Sequence, residues 1–277
     1  MKIAVTGASG FIGRRLVSKL RAAGEEVRPV SLRMGPQAQD FAECGAVIHL
    51  AGEPVAQRWT AAARERIRAS RVDSTRSLIA GLRDAPPATL ISASAVGYYG
   101  SRGDEILTES SGPAADFLGQ VAVDWEREAQ TVEEFGVRVV RLRSGMVLGR
   151  DGGALAKMLL PFRLGIGGPI GSGKQWMSWI HVEDLVSMIE FTLRTSLQGA
   201  VNACAPNPVT NVEFTRELAG ALHRPAIFPV PLFALKMLFG EMAQIVYASQ
   251  RVLPEAALGA GFRFRFPEVR GALRDLL

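Results

Sequence analysis

The stretch KIAVTGASGFIG, residues 2–13, decides the fold class of this chain. Its first five residues predict a short buried strand, a glycine-rich turn follows, and Phe11 begins a predicted helix. Such a turn lets the backbone approach a pyrophosphate closely, and the helix N-terminus adds unpaired N–H groups and a positive dipole end. We therefore predict a dinucleotide site here and not an incidental glycine loop. The expected contacts are Gly7, Ser9, Gly10, Phe11, Ile12 and Gly13.

Strand and helix patterns alternate through the first half of the sequence. This alternation is typical of right-handed βαβ units, in which helices cover both faces of a parallel sheet. We therefore predict an α/β fold, a Rossmann doubly wound parallel sheet. The predicted strands cover residues 2–6, 27–32, 46–50, 89–93 and 137–142, and the predicted helices cover residues 11–23, 60–83 and 116–135.

The second half is less regular and predicts a smaller mixed α/β region on the substrate side. Helical patterns cover residues 154–164, 182–195 and 211–222, and a short strand pattern covers residues 200–203. Asn211 is the expected N-cap of the third helix. Alternating phenylalanine and arginine over residues 262–266 predict a half-buried edge strand. We expect a Rossmann domain at 1–150 with further core segments from 182–205, and the substrate-side region at 151–228.

Composition excludes several classes of protein. The chain has 277 residues, of which 48% are hydrophobic and 21% charged, as in folded globular proteins. The net charge of +5 is small, and the basic residues are spread along the chain. We therefore expect no nucleic-acid partner. Two distant cysteines, Cys44 and Cys204, predict neither a disulfide framework nor a metal site. Since no leader peptide or membrane-spanning stretch stands out, we expect a cytoplasmic protein without a membrane partner.

The end of the second strand predicts which dinucleotide binds. Enzymes that use NAD usually carry an acidic residue there for the ribose 2′-hydroxyl. Here the strand ends in Ser31, Leu32 and Arg33, and the next carboxylate is Asp40. The guanidinium of Arg33 offers a fork of donors that suits a 2′-phosphate, and Ser31 adds a hydroxyl. We therefore predict NADP(H) over NAD(H). The alternative is that Arg33 is an ordinary surface residue.

Further motifs resemble one known family. Residues 6–13 resemble the turn of the extended and atypical short-chain dehydrogenase/reductases. Nearly the whole chain is similar to the NAD-dependent epimerase/dehydratase-like proteins, often labelled sugar nucleotide epimerase family proteins. The similarity includes their C-terminal domain of unknown function, here residues 229–277. The motifs are HLAGEP (49–54), SR (70–71), STR (74–76), SASAVGYYG (92–100), RSGMVLG (143–149), PFRLG (161–165), GSG (171–173) and WIHVEDL (179–185).

The resemblance implies an NADP(H)-binding Rossmann domain with a smaller C-terminal region over the nicotinamide. It implies cofactor contacts at Arg33, Leu50, Ala51, Gly52 and Arg71. The alternative for Arg71 is a solvated helix face, because two more arginines precede it by three and seven residues. The implied substrate is an unidentified small molecule, and sugar nucleotides are a candidate class through the family label alone.

The usual catalytic pair of this superfamily is missing. In that pair a tyrosine transfers the proton, and a lysine four residues later lowers the pKa of the phenol toward working pH. The two slots, at the start of the helix predicted over residues 116–135, hold Phe117 and Val121. No lysine occurs between Lys19 and Lys157, so the usual tyrosine–lysine mechanism is excluded.

A few residues remain as candidates for the chemistry. Ser94 matches a serine or threonine that binds a substrate carbonyl or hydroxyl in the superfamily, and Tyr99 matches a residue that often lines the pocket. We predict both as catalytic residues. We expect Glu53, Trp179 and His181 to line the substrate pocket. The alternative for His181 is a structural histidine among apolar residues.

Two functional hypotheses stay open. The first is an NADP(H)-dependent oxidoreductase or epimerase with a displaced acid and base. The second is a non-catalytic NADP(H)-binding redox sensor or regulatory protein. The missing pair favours the second, whereas the aromatic and polar residues around Trp176 and His181 favour the first. We expect a monomer or a homodimer.

Overall fold

The computed structural model describes residues 1–33, 35–226 and 228–277. The strands of these residues, in chain order, are β1 (Lys2–Thr6), β2 (Glu26–Val30), β3 (Ala46–His49), β4 (Thr89–Ala95), β5 (Ile106–Leu107), β6 (Arg138–Ser144), β7 (Met146–Gly149), β8 (Trp176–Met177), β9 (Trp179–His181), β10 (Gly199–Ala203), β11 (Val209–Thr210) and β12 (Arg251–Val252). The helices are α1 (Phe11–Ala22), α2 (Ala38–Phe41), α3 (Ala61–Ala69), α4 (Val72–Leu82), α5 (Phe117–Gln130), α6 (Gly153–Arg163), α7 (Val182–Arg194), α8 (Asn211–Leu222), α9 (Leu232–Phe239), α10 (Ala243–Tyr247), α11 (Glu255–Gly259) and α12 (Val269–Leu276). Short 3-10 helices cover Val96–Tyr99, Thr131–Phe135 and Gly240–Met242.

Six parallel strands form the central sheet, in the order β2-β1-β3-β4-β6-β10. Ile3 of β1 is in register with Val27 on one side and with Ala46 on the other. The chain therefore leaves β1 in one direction to make β2 and returns to its other side to make β3. At such a switch in direction the loops at the carboxyl ends of the strands separate and leave a crevice for a ligand. This topology confirms the predicted doubly wound α/β fold.

Helices cover both faces of the sheet, as the continuous apolar strands require. On one face, Leu16 and Leu20 of α1 and Ile189 of α7 pack on buried strand residues. On the other face, Leu78 and Leu82 of α4 pack with the end of α5. The sheet is therefore buried on both sides, and only its strand ends face the loops that carry the candidate site.

A second core lies under the substrate-side region. It joins α6, α8 and α12 through buried residues that include Leu159, Phe214 and Leu273. From the same C-terminal segment, Ala257 and Phe262 join the core of the central sheet. Residues on both sides of position 229 therefore contribute to the same two cores. In the described part of the chain, none of the helices has the length and apolar character needed to cross a bilayer.

The long helix predicted over residues 60–83 is two helices, α3 and α4. Arg71, between them, has φ −110° and ψ −61°, so its φ departs by more than 40° from the roughly −63° of a regular helix. The hydroxyl of Ser74 donates to the carbonyl of Ser70, and that of Thr75 donates to the carbonyl of Arg71. Such hydroxyls compete with the backbone for helical carbonyls, which permits the break. The periodicity of the apolar residues continues across it, so the sequence pattern did not reveal the interruption.

Two smaller predictions in the second half were wrong. The N-cap of α8 is Thr210 and not Asn211, because the Thr210 side chain and Glu213 form a reciprocal capping box. The segment 262–266 is not a strand. The backbone N–H groups of its last two residues donate to the carboxylate of Asp184, at 2.9 Å each, instead of to a neighbouring strand.

Candidate functional site

The glycine-rich turn brings the ends of β1 and β3 and the start of α1 into close contact. Gly7 has φ +67°, and a Cβ atom there would lie 2.8 Å from the backbone N of Ala51. A Cβ on Gly13 would lie 2.2 Å from the carbonyl oxygen of Gly7. Both positions therefore require glycine, because backbone atoms occupy the space that a side chain would need. The turn is a close-packed cradle at the crevice of the sheet.

The N-terminus of α1 faces outward from this cradle. Gly10 is its N-cap, and within the part of the chain that the structure describes no side chain caps it. Its first N–H groups, from Phe11 onward, thus remain for a ligand. The ring of Phe11 packs so closely on Gly149 and Gly152 that a Cβ on either would lie 2.3 Å from it. Ser9 and Gly10 are exposed, and the cradle fits the pyrophosphate of a dinucleotide.

A buried histidine beneath the cradle was not among the predicted site residues. His49, at the end of β3, forms hydrogen bonds with the hydroxyls of Thr6 at 2.7 Å and Thr75 at 3.0 Å. Burial lowers its pKa to about 4, so the ring is neutral. It ties β1 and β3 to α4. The HLAGEP motif contained this residue, but its spacing gave no sign of these partners.

The two residues predicted to select the cofactor lie at the end of β2, next to β1 in the sheet. Ser31 and Arg33 are both exposed, and the backbone N–H of Arg33 donates to the Ser31 hydroxyl at 3.5 Å. The position is compatible with both the 2′-phosphate role and the ordinary surface role.

Arg71 lies under the loop that follows β3 and not on a solvated helix face. Its Nη1 donates to the carbonyls of Glu53 at 3.0 Å and Ile67 at 3.1 Å. Its guanidinium lies 5.2 Å from the ring centroid of Trp125, and burial lowers its pKa to about 10. A Cβ on Gly52 would lie 3.5 Å from the guanidinium carbon. Arg71 therefore holds the loop of Leu50, Ala51 and Gly52 in place beside the cradle.

A buried polar network lies at the carboxyl end of β4. The hydroxyl of Ser94 donates to Glu126 at 2.7 Å. The same carboxylate accepts two bonds from Arg143, each of 2.8 Å, and a weaker one from Arg141. Burial opposes the charge of Arg143, but its bonds with Glu126 raise its pKa above the ordinary value. Ser94 is 2% exposed, so its hydroxyl is part of this network.

Tyr99 belongs to the same network. Its hydroxyl donates to Asn202 at 2.7 Å and accepts from Arg143 at 2.9 Å. Burial raises the pKa of Tyr99 to about 12, because it outweighs the lowering effect of Arg143. The structure thus brings the two predicted catalytic residues together through Glu126 and Arg143, which the sequence analysis did not single out. Arg143 begins the RSGMVLG motif, but nothing in the sequence indicated its distant partner Glu126.

The two slots of the missing pair carry apolar side chains at the start of α5. The ring of Phe117 packs edge-on against Trp59, with ring centroids 5.2 Å apart, and the guanidinium of Arg64 lies 5.1 Å from it. Arg64 also pairs with Glu241 in the C-terminal segment. Val121 is buried. Neither slot offers a proton donor, which agrees with the sequence argument.

The structure corrects the expectation that Trp179 and His181 line a substrate pocket. The Trp179 side chain is fully buried, and its Nε1 donates to the carbonyl of Asn207. His181 is the N-cap of α7, its ring is stacked on Phe266, and burial lowers its pKa. Both side chains therefore hold the substrate-side core together. Glu53 is half-buried in the loop after β3 and accepts from Gln57.

The comparison with protein families agrees with this geometry. Residues 3–204 match the NAD dependent epimerase/dehydratase family. The chain belongs to this family. Residues 230–276 match a domain of unknown function, DUF1731, as the motif resemblance implied. This family member thus joins a dinucleotide-type cradle to a C-terminal region without an assigned role.

Individual relatives extend over the whole chain. The epimerase family protein SDR39U1 of Mus musculus is 39% identical, and the match covers 100% of both chains. The SDR39U1 homolog of Arabidopsis thaliana, described as chloroplastic, is 40% identical over 100% of this chain and 87% of its own. A crystal structure of human SDR39U1 with NADPH has a TM-score of 0.91 at 35% identity, covering 100% of this chain and 99% of that one. These matches confirm the family and the fold.

Proposed function

We propose that this protein binds NADP(H) at the carboxyl ends of β1 and β3. The observation that carries the proposal is the cradle of Gly7 and Gly13, where the backbone leaves no room for side chains. Ser9 to Ile12 would hold the pyrophosphate with the N-terminus of α1. Ser31 and Arg33 would contact the 2′-phosphate, and the loop braced by Arg71 would lie against the adenosine. The NADPH in the human relative supports this choice of cofactor.

We further propose an NADP(H)-dependent oxidoreductase or epimerase that works without a tyrosine–lysine pair. The cofactor supplies hydride transfer at its nicotinamide when it is bound. Ser94 and Tyr99 stay the predicted catalytic residues, with Glu126 and Arg143 as the groups that orient them.

Binding and turnover are tested in separate experiments. In a fluorescence titration the protein should bind NADPH well below ~1 mM, the affinity that corresponds to about −4 kcal/mol. NADPH oxidation with carbonyl compounds and NADP⁺ reduction with alcohols then test turnover. If a rate is found and Ser94→Ala leaves it unchanged, the proposed role of Ser94 is wrong.

The second candidate function is a non-catalytic NADP(H)-binding sensor. It is favoured by the hydroxyls of Ser94 and Tyr99, which are buried and paired inside the protein. A sensor should bind NADPH and show no turnover with any substrate. It should also change conformation between its NADPH and NADP⁺ forms, which hydrogen exchange of the C-terminal segment would detect.

We propose a reducing compartment, such as the cytoplasm, as the place of action. Cys44 and Cys204 are both buried thiols, and burial raises the pKa of each. The thiolate is the reactive form, so neither cysteine is suited to disulfide exchange. We also propose a monomer or homodimer, which sedimentation of the purified protein would test.

A further inference from the structure

A short stretch of the C-terminal region, residues 249–256, lies against the segment that follows β4. We call this stretch the strap. It contains β12, which pairs in parallel with β5, so that Val252 lies opposite Leu107. The strap lies within residues 230–276, which match the domain of unknown function. A strand of that domain is thus hydrogen-bonded to the Rossmann part of the chain.

Side chains hold both ends of the strap. At its start, the backbone N–H of Ser249 donates to the hydroxyl of Ser101 at 3.0 Å. The hydroxyl of Ser249 donates to the carbonyl of Gly103 at 2.7 Å. At its end, the backbone N–H of Ala256 donates to the carboxylate of Glu109 at 3.2 Å. The segment between β4 and α5 is therefore tied to the C-terminal region at two separate places.

One side chain of the strap reaches the end of β4. The side-chain amide of Gln250 donates to the carbonyl of Val96 at 2.9 Å. Val96 joins β4, which carries Ser94, to the 3-10 helix, which carries Tyr99. The backbone of Gln250 is itself fixed, because its N–H donates to the carbonyl of Trp176 at 3.0 Å. Gln250 therefore holds the point at which the two predicted catalytic residues are joined.

The strap also determines the direction of the Tyr99 hydroxyl. The carbonyl of Leu253 can only accept a hydrogen bond, so Asn202 turns its NH₂ group toward it, at 2.9 Å. The oxygen of the same amide then faces Tyr99 and accepts from its hydroxyl at 2.7 Å. Arg143 carries donors only, so the phenol oxygen accepts from it at 2.9 Å. The Tyr99 proton therefore points to Asn202, in an arrangement that begins at a carbonyl of the strap.

These bonds lie in a closed part of the structure. The side chains of Tyr99 and Asn202 are both 0% exposed, and Val252 of the strap is equally buried. A buried polar group that loses its partner finds no water to replace it. Loss of a bond from the strap is therefore felt directly by the groups that it orients.

Resting on the proposed function, we infer that the strap is part of the candidate active site and that Gln250 is a positioning residue. Through Gln250 the strap holds the end of β4, and through Asn202 it orients the Tyr99 hydroxyl. This gives the C-terminal domain a role in the site. It fixes the geometry of groups that the Rossmann part of the chain carries.

Proton exchange of the Tyr99 hydroxyl, measured by NMR on the full-length protein, tests this inference. The chain has three tyrosines, and the hydroxyl signal that is missing in Tyr99→Phe identifies this one. A fully buried phenol proton that is bonded to Asn202 should exchange slowly with water. Gln250→Ala should speed its exchange roughly three- to tenfold, the factor that corresponds to one lost hydrogen bond.

Two further variants separate the hydrogen bond from the shape of the side chain. Gln250→Glu keeps the length of the side chain but replaces the donor by an acceptor at neutral pH, so exchange should be at least as fast as in Gln250→Ala. Gln244→Ala is the matched control, because this glutamine of α10 lies in the same region and is exposed. It should leave the exchange rate unchanged.

Cofactor binding and turnover are measured on the same proteins. The strap bonds to the segment after β4, whereas the cradle lies at the ends of β1 and β3. All three variants should therefore keep the wild-type dissociation constant for NADPH. With a substrate from the turnover experiments, Gln250→Ala should lower kcat and leave the KM for NADPH unchanged.

Two results would overturn the inference. One is a Tyr99 hydroxyl exchange rate that neither Gln250→Ala nor Gln250→Glu changes. The other is an equal acceleration of the backbone amides of β1 and β3, which would indicate a general loss of stability and no positioning role. Failure of the wild-type protein to bind NADPH would instead contradict the proposed function, and the exchange rate of Tyr99 would still decide whether the strap orients it.

Discussion

Replacement of Glu126 by glutamine is the most informative single perturbation of the polar network. The carboxylate is 5% exposed and Arg143 is 3% exposed. It accepts two 2.8 Å bonds from Arg143, one from Ser94 and one from Arg141. Glutamine keeps the size of the side chain but removes its charge, so the guanidinium of Arg143 would remain buried without a counter-ion.

Breaking a buried ion pair in this way costs about 3–5 kcal/mol, because one charge stays in a poorly solvated site. That is a large part of the roughly 5–15 kcal/mol by which native proteins are stable. With about 2–4 °C lost per kcal/mol, the melting temperature should fall by roughly 6–20 °C. Because both Arg141 and Arg143 donate to Glu126, we expect a fall in melting temperature in the upper part of this range.

Thermal and denaturant unfolding, followed by circular dichroism, measure the effect. Glu241→Gln is the matched control, since it removes the carboxylate of an exposed ion pair with Arg64 and should change stability by less than about 1 kcal/mol. A second substitution, Arg143→Met, in the Glu126→Gln background should recover part of the loss. If Glu126→Gln lowers stability by less than about 0.5 kcal/mol, the reasoning about the buried charge is wrong.

Three further perturbations test other parts of the site. The stability that the neutral ring of His49 provides should be lost as the pH falls from 6.5 to 4, because burial lowers its pKa to about 4; an NMR titration midpoint near 6.5 would contradict this. Gly13→Ala should weaken NADPH binding at least about tenfold and destabilise the protein by about 1–3 kcal/mol, whereas Gly220→Ala, which meets no atom within 4 Å, should do neither. The ion pair between Arg64 and Glu241 joins α3 to the C-terminal segment, so Arg64→Ala should speed NADP⁺ release measured by stopped flow. The charge-exchanged variant, Arg64→Glu with Glu241→Arg, should restore the slower release. Equal release rates in the wild-type protein and both variants would show that this ion pair does not hold the cofactor in place.

The fold was predictable because its determinants are local. The strand, turn and helix of residues 2–13 lie in one short stretch of sequence, and the alternation of apolar strands with amphipathic helices predicted the parallel sheet. The break at Arg71 was missed because the hydroxyl of Ser74, which donates to the carbonyl of Ser70, leaves the apolar period unchanged. The segment 262–266 was misread because an alternating pattern cannot show that Asp184 takes up its N–H groups.

Only the part of the site that is built from one continuous segment could be predicted from the sequence. The cradle needed nothing beyond its own glycines. By contrast, the network of Ser94, Glu126 and Arg143 joins residues from β4, α5 and β6, and no spacing rule connects them. Burial of Trp179 and His181 likewise depends on α8 and the C-terminal segment. Aromatic and polar side chains close together in sequence therefore suggested a pocket where the folded chain has a core.

The most direct test of the central claim compares NADPH with NADH binding in the wild-type protein and in Arg33→Glu. A charged hydrogen bond to the 2′-phosphate contributes about 1.5–3 kcal/mol, or roughly 10- to 150-fold in affinity. We expect the wild-type protein to prefer NADPH by a factor in that range, and Arg33→Glu to abolish or reverse the preference by weakening NADPH binding. Equal affinity for both cofactors in the wild-type protein, or an unchanged ratio in Arg33→Glu, would contradict the account.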